Sequence, residues 1–224
     1  MREQFRQELK TIHAEVVGIL DAVTASTRDG VTALIAGDVD LAAKVVSGDR
    51  ALDQRCADVE ERVIETIATQ SPVARDLRLL QSLAYMAIRL ERMADLATNI
   101  AKAAKRTADR RGPQTLYDLI QAQGNLVYRV LDATREALNA RDLELARKLP
   151  ELDEPIDHLY KQFFRELARL SNEEDIEWAS QMVLASRYLE RIADNAVDIG
   201  ERVAYLITGE REPHGGPPQT QAKE

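Results

Sequence analysis

The chain has 224 residues, of which 45% are hydrophobic, and a formal net charge of −8. This length supports one substantial core or two small ones. Nucleic acid is an unexpected partner, because its binding depends on neutralising phosphates and no block of basic residues interleaved with aromatics is present. The acidic balance also argues against direct capture of free phosphate, and without a glycine-rich phosphate loop a nucleotide-binding fold is not indicated.

The sequence contains no run of about 18 apolar residues, as a membrane helix would require. The first ten residues are too charged to be the apolar part of a secretory signal, so a cytoplasmic location is predicted. Cys56 is the single cysteine, which excludes an intrachain disulfide and a cysteine-based zinc site. We interpret it as a helix-packing residue, with a redox role as the alternative.

Almost everything from Arg2 to Ile207 is expected to be helical, because glycine and proline are scarce and strong helix formers fill the gaps. The first helix carries apolar residues at spacings of three and four and should end near Gly37. Asp38 is then placed to cap the second helix, which is expected to stop around Gln70.

The third helix is predicted to start at Ser71-Pro72, with the serine as N-cap and the proline in the first helical position, and to run to about Asp109. The segment Arg110–Pro113 breaks the pattern and separates two halves of the chain. A fourth helix is expected from about Thr115 to Asn139.

Asp142 is predicted to cap the fifth helix. Pro150 and Pro155 each lack a backbone N–H donor, so this helix is expected as two pieces rather than one smooth rod. A turn at Ser171-Asn172 precedes a sixth helix from about Glu173 to Ile207.

The two halves carry near copies of one segment. Leu90–Ile100 reads LERMADLATNI, and Leu189–Ile199, 99 positions later, reads LERIADNAVDI. Upstream, six residues recur at an offset of 104, so the second copy is five residues shorter, most simply near the turn between its second and third helices. They are Asp38, Leu41, Ala42, Lys44, Asp49 and Asp53, which correspond to Asp142, Leu145, Ala146, Lys148, Asp153 and Asp157. Such a repeat indicates duplication of one unit.

The predicted fold is therefore all-α, with two tandem three-helix bundles in up-down-up order related by internal duplication. We assign residues 1–109 to the first bundle and residues 114–208 to the second. Residues 209–224, which include HGGPPQTQAKE, are expected to form a disordered tail.

Carboxylates recur at helical spacing in both units. In each unit, a row of carboxylates spaced by four residues lies on the third helix, and a pair of carboxylates lies on the second. The two helices are joined by a turn, and the row and the pair lie at the same level, about 28 Å from it. Each bundle is thereby predicted to carry four carboxylates, with one further polar residue extending each row. The predicted metal ligands are Asp49, Asp53, Glu91, Asp95 and Asn99 in the first unit, and Asp153, Asp157, Glu190, Asp194 and Asp198 in the second.

A single such motif on a helix usually marks nothing more than a solvated face. Repetition of the same pairing at the same level in both units favours metal binding, and ligands that are all oxygen favour hard cations such as Mg²⁺, Mn²⁺ or Ca²⁺, or iron. The pattern differs from the ferritin-like di-iron site, which uses Glu-x-x-His pairs. His158 is the one histidine that could supplement a cluster, but an ordinary exposed or capping role is the simpler interpretation, and Trp178 is interpreted as packing.

Two three-helix units, the paired D/E-x-x-x-D motifs and the segment SPVARDLR ahead of the first LERMAD row together resemble the PhoU family of phosphate-transport regulators. The resemblance spans about residues 1–208. It implies a cytoplasmic homodimer that represses phosphate uptake and the phosphate-starvation response, between the phosphate ABC transporter and a sensor histidine kinase. Contact with the membrane is then only through these partners, at its inner face. The resemblance also implies multinuclear metal clusters on the carboxylates above, with Fe, Mg, Mn or Zn as the candidate cations.

Two further residues bear on the predicted metal sites, Asp76 and Pro155. Asp76 is about 22 Å along the helix from Glu91, so it belongs to no shared site and is interpreted as a helix-start charge, with a partner contact as the alternative. Pro155 lies inside the Asp153–Asp157 motif, where a kink would alter the second cluster.

Three classes of function remain at this point: a regulatory adaptor, a carboxylate-bridged metalloenzyme, and a purely structural bundle. The regulatory adaptor is favoured, and an enzyme is not expected, because no histidine, nucleophile or evident pocket accompanies the carboxylates.

Overall fold

The structure, a computed structural model, describes residues 2–169 and 176–210, and over these ranges it consists of six α-helices without a strand. This confirms the all-α prediction. In the described ranges no helix combines the length and hydropathy needed to cross a membrane. The helices are α1 (Arg2–Ala36), α2 (Val39–Gln70), α3 (Ala74–Thr107), α4 (Gln114–Ala140), α5 (Leu143–Leu167) and α6 (Ile176–Thr208).

The helices form two three-helix bundles that pack on each other. Helices α1 to α3 contact one another, α4 to α6 do the same, and the bundles join through α3 with α6 and α1 with α4. Helices α2 and α5 contact only members of their own bundle, so they lie on the outside. Buried side chains from all six helices form one continuous cluster. A division into two separate domains stays a prediction, because the halves share this core.

Helix α3 is the central element, since it packs against α1, α2 and α6. Its sequence explains how three helices can approach it: Ala94, Ala97, Ala101 and Ala104 are all buried. A Cβ atom placed on Gly30 of α1 would lie 3.1 Å from the carbonyl oxygen of Ala97. Small residues on both helices therefore let their backbones come close together.

The predicted helix boundaries at the two α-α turns are confirmed. Gly37 has φ 69°, the left-handed conformation that commonly ends a helix. The Asp38 carboxylate then accepts a hydrogen bond from the N–H of Leu41 at 2.9 Å. The Asp142 carboxylate accepts one from the N–H of Leu145 at 3.0 Å. The two units thus start their second helix with the same side-chain cap.

The predicted start of the third helix is wrong. Ser71 ends α2 instead, with φ 45° and its N–H donating to the carbonyl of Ile67 at 3.1 Å, and Pro72 lies outside any helix. Helix α3 begins at Ala74, after an N-cap residue, Val73, whose side chain makes no capping hydrogen bond. A residue whose left-handed backbone closes one helix cannot also adopt the extended backbone of an N-cap.

The predicted break in the fifth helix is also wrong, since α5 runs from Leu143 to Leu167 with both prolines inside it. Each proline removes one hydrogen bond, and both side chains are exposed. The carbonyl of Ala146, which would have accepted from residue 150, lies against Gly200 of α6, where an added Cβ would be 3.2 Å away. Close packing of α5 on α6 thus holds the helix in one piece.

The packing role predicted for Trp178 is confirmed. The side chain is 1% exposed, and its Nε1 donates to the hydroxyl of Tyr117 at 3.0 Å. A Cβ on Gly112, in the linker between the bundles, would overlap the indole ring. The glycine of the linker is therefore required for this close approach. The predicted turn at Ser171-Asn172 and the start at Glu173 lie outside the described residues, as does the tail from residue 211.

Helices α3 and α6 are antiparallel, as three contacts in reversed order show. Arg89 pairs with Asp198 at 3.0 Å, Arg106 bonds Gln181, and Arg110, in the linker just after α3, pairs with Glu177. The pair between Arg89 and Asp198 is the most enclosed, with each side chain 23% exposed. It joins the two bundles at their shared face.

We expect a double-mutant cycle in chelator, with Arg89→Ala and Asp198→Ala, to give a coupling free energy of about 1 kcal/mol by urea unfolding. The reason is that partial burial reduces solvent screening of this pair. The pair of Arg28 and Asp132 also joins the bundles, at 3.1 Å, but is 48% and 62% exposed and serves as the control. Its coupling should be roughly 0 to 0.5 kcal/mol. Equal couplings would contradict the role assigned to burial.

Candidate metal centres

The first cluster comprises Asp49, Asp53, Glu91, Asp95 and Asn99, on α2 and α3. Antiparallel packing of these helices brings Asp49, Asp53 and Asp95 together, with one carboxylate oxygen of each within 4.8 Å of the others. Asp49 and Asp53 are half-buried, and Asp95 is exposed. Three like charges at this distance repel one another unless a proton or a cation neutralises them.

The ends of the α3 row are less involved in this group. Glu91 is exposed and lies outside the close set of three oxygens, although its charge still contributes to the raised pKa of Asp53. The side-chain oxygen of Asn99 accepts a hydrogen bond from Lys102 of the same helix at 3.5 Å. Glu91 is thus within electrostatic reach of the centre, whereas Asn99 is engaged elsewhere.

In the first cluster, Asp53 carries the sign of a missing partner. Its Oδ1 atom is buried and accepts no hydrogen bond. Burial, followed by the charges of Asp49, Asp95 and Glu91, raises the pKa of this carboxyl. Buried carboxylate oxygens without partners are costly, so one aimed into a group of acids fits a cation ligand.

A hydroxyl that the sequence reading missed supports the first cluster. Thr98, buried on α3, donates to Oδ1 of Asp49 at 2.8 Å. The available signal was a polar residue in a run of otherwise apolar buried positions. Its equivalent in the second unit, 99 residues on, is Val197, which has no hydroxyl to donate.

The second cluster comprises Asp153, Asp157, Glu190, Asp194 and Asp198, on α5 and α6. Asp153 occupies the place of Asp49 in the repeat, and without an equivalent of the threonine its Oδ1 is buried and unpaired. Burial, then the charges of Asp194 and Asp157, raises the pKa of Asp153 to about 7. Burial and the Asp157 charge also raise the pKa of Asp194. These three acids therefore act on one another.

Glu190 and Asp198 differ from these three because each has a cationic partner within the protein. Glu190 is buried and pairs with Arg187, one turn earlier on α6, and Asp198 pairs with Arg89 of α3. Arg187 has no counterpart in the first unit, where Ile88 stands at the equivalent position. The second cluster is thus partly neutralised by its own chain, and the first is less so.

Three residues near the clusters, His158, Pro155 and Cys56, do not change the arrangement of the carboxylates. His158 is exposed and lies 2.9 Å from the carbonyl of Glu154 on its own helix, which supports the ordinary role. Because α5 is continuous through Pro155, Asp153 and Asp157 remain one helical turn apart. Cys56 is buried, which confirms its packing role, and burial followed by the charges of nearby acids raises its pKa to about 12.

The fold and these clusters define a class of protein. It is a duplicated helical bundle in which the second and third helices of each unit carry a group of carboxylates suited to a cation. A family model described as the PhoU domain matches this chain twice, over residues 16–104 and 120–203. The chain belongs to the PhoU family.

Relatives match nearly the whole chain. A phosphate-specific transport system accessory protein PhoU homolog from Rhizobium meliloti is 33% identical over 217 residues, which are 96% of this chain and 91% of the relative. One from Clostridium acetobutylicum is 30% identical over 216 residues, covering 94% and 97%. The crystal structure of PhoU from Pseudomonas aeruginosa aligns with a TM-score of 0.88 at 29% identity, covering 92% of this chain and all of that one.

Proposed function

We propose that each cluster binds one or more cations. The observation that carries this proposal is the presence in both clusters of a buried, unpaired carboxylate oxygen, on Asp53 and on Asp153. Asp49, Asp95 and Glu91 would complete the first donor set. The second would be formed by Asp157, Asp194 and Glu190. Oxygen ligands suit Mg²⁺ and Mn²⁺, and carboxylates also hold Fe and Zn.

A bound cation would supply charge neutralisation between two helices of a bundle. It would connect α2 to α3 and α5 to α6, and a ligand that binds only the folded state adds to its stability. Because α2 and α5 lie on the outside of the molecule, the cations would also lower the negative charge of the surface available to partners.

In this proposal the protein is a regulatory adaptor of phosphate transport. Its relatives are phosphate-specific transport system accessory proteins, and the related structure from Streptococcus pneumoniae, 27% identical with a TM-score of 0.83, is a phosphate transport system regulatory protein. The chain would act as a homodimer that restrains phosphate uptake and phosphate-starvation signalling. It would do so by linking the phosphate ABC transporter to a sensor histidine kinase at the inner face of the membrane.

Metal analysis of protein purified without chelator tests the cation proposal. The wild type is expected to retain metal, Asp49→Asn with Asp53→Asn to lose the metal of the first bundle, and Asp153→Asn with Asp157→Asn that of the second. The matched control is Glu61→Gln with Glu65→Gln, an exposed pair with the same spacing on α2. Retention of metal by a protein that carries all four asparagines would overturn the proposal.

Co-purification tests the regulatory proposal. The tagged full chain is expected to retain the transporter ATPase and the histidine kinase, less strongly as salt is raised, because charged surfaces steer such contacts. A sedimentation measurement in the same buffer should give a dimer. If neither partner is retained at any salt concentration, the adaptor role fails even if the clusters bind metal.

A further inference from the structure

A cavity of about 790 Å³ opens at one end of the molecule, and its lining includes no residue of either cluster. It lies where the first part of α1, the start of α3, the junction of α4 with α5 and the end of α6 meet. One wall is apolar and is formed by Leu9, Leu79, Leu206 and Ile207. The polar lining of this basic cavity consists of Arg6, Lys10, His13, Arg75, Arg78 and Arg141, with a single acid, Asp76.

Among the residues that the structure describes, the cationic side chains of the basic cavity have no acidic partner at ion-pair distance. Five arginines and lysines line it, and within residues 2–169 and 176–210 none of them forms an ion pair. Elsewhere on the protein the arginines are commonly paired, as Arg55 with Glu15 and Arg62 with Glu8, each at 2.7 Å. Unpaired cations gathered around a cavity on a chain of net charge −8 favour an anionic ligand.

The placement of Arg78 supports an anion at the cavity. The half-buried Arg78 is held over the ring of Tyr205, 5.5 Å from its centre, so its position is partly fixed. Helix α3 also begins here, without a side-chain cap, but Asp76 in its first turn offsets part of the positive end of the helix dipole. Burial, with a smaller contribution from the charge of Arg141, lowers the pKa of His13, whose Nε2 lies 3.4 Å from the carbonyl of Leu138 and is not counted as a ligand for the anion.

We propose that the basic cavity binds a small anion that carries a pyrophosphate group, supplied either by a nucleoside diphosphate or triphosphate or by inorganic pyrophosphate. Arginine forks match phosphate oxygens in pairs, and several of them around one space favour more than one phosphate. The volume falls within the range of about 300 to 1,000 Å³ of small-molecule sites. The apolar wall offers a surface for a base.

This site is distinct from the metal centres. Asp76 at the cavity and Glu91 at the first cluster are 15 residues apart on one helix, or about 22 Å. The inference does not rest on the metal proposal, and either can fail without the other. It also differs from the expectation drawn from net charge, because an average over the chain does not report a local cluster of one sign.

Isothermal titration calorimetry of the full chain in chelator tests the inference. The ligands are ADP, ATP and pyrophosphate, and a hexaglutamate peptide represents the alternative of an acidic protein segment. Binding of at least one polyphosphate is expected, weakening between about 0.05 M and about 0.3 M salt. Tighter binding of ADP than of pyrophosphate would assign the nucleotide source, and equal binding the inorganic one. Both results support a pyrophosphate site.

Substitution of the cavity arginines locates the binding. Arg75→Gln and Arg141→Gln, both at exposed positions, should each lower the affinity for the polyphosphate by about tenfold or more, because a hydrogen bond from a charged donor is lost. Arg129→Gln, at an exposed arginine on α4, makes the same change of charge outside the cavity and should have no effect. Unchanged thermal unfolding would show that the variants fold.

Three results would overturn the inference: no polyphosphate binding at about 1 mM ligand, where a site of ordinary affinity is filled; binding that the two cavity variants leave unchanged; or tighter binding of hexaglutamate than of any polyphosphate. The last result would assign the cavity to an acidic protein segment instead.

Discussion

Asp153→Asn is expected to stabilise the metal-free protein at pH 8, by on the order of 1 kcal/mol, since solvent reaches this half-buried group and screens part of the effect. In the folded chain the pKa of Asp153 is raised from 3.8 to about 7 by burial and by the charges of Asp194 and Asp157. At pH 8 the folded protein must therefore hold an ionised carboxylate with a buried, unpaired oxygen, whereas the unfolded chain hydrates it. Asparagine removes the charge and keeps the shape.

The pH dependence follows from the direction of this shift. Below about pH 4 the carboxyl is protonated in both states, so it costs nothing. Between pH 3.8 and about 7 the unfolded chain releases the proton and the folded chain keeps it, so the free energy of unfolding falls as pH rises. Above pH 7 the penalty is complete. The gap between variant and wild type should grow across this window and then become constant.

Urea unfolding of chelated protein at several pH values measures this gap. Glu151→Gln, at an exposed acid on the same helix, is the control and should show none. Added Mn²⁺ or Mg²⁺ should stabilise the wild type more than the variant, because a cation neutralises the charge that the asparagine removes. A variant that is less stable than the wild type at pH 8 without metal would show that the ionised Asp153 carboxylate does not destabilise the folded protein.

Trp178→Ala is expected to lower the free energy of unfolding by about 3 to 5 kcal/mol. The indole is buried to 1% exposure among residues of the second bundle and the linker, so its loss leaves a large cavity. It also leaves the hydroxyl of Tyr117, a residue 5% exposed, without its hydrogen-bond donor.

Urea or thermal unfolding in the presence of chelator would measure this loss. Phe164→Ala is the matched control, because Phe164 is 44% exposed, and a change of under about 1 kcal/mol is expected there. Trp178→Phe should fall between the two, since it keeps most of the buried area and loses the hydrogen bond. Equal effects of the two alanine substitutions would mean that the tryptophan does not anchor the second bundle.

Much of the fold follows from local features of the sequence. The repeat of LERMADLATNI as LERIADNAVDI indicated duplication, and the cap residues Asp38 and Asp142 located two helix starts. Both features depend on residues within one helical turn of each other, so they can be recognised without a tertiary structure. Two predictions were wrong because contacts in space, not local sequence, decide the structure there. The third helix does not start at Ser71, whose backbone ends α2, and the fifth helix is not broken at Pro150, where α6 packs against it.

The candidate site shows the same division. Spacing by four along each helix and equal distance from a turn were enough to predict which carboxylates share a level. Three properties depended on contacts between helices. These are the hydroxyl of Thr98 beside Asp49, the unpaired oxygen of Asp153, and the enclosure of Asp198 by Arg89. Desolvation and pairing are properties of the packed interior, so periodicity alone cannot report them.

The sequence by itself determined that the chain is a duplicated helical protein with acidic rows in both halves, because helical periodicity and repetition are written along one dimension. The tertiary structure alone decided which of those acids meet, and it gathered Arg6, Arg75, Arg141 and Ile207 around one cavity. These residues come from four separate parts of the chain. Their proximity follows from the packing of α1, α3 and α6 and the α4–α5 junction, and net charge had indicated the opposite sign.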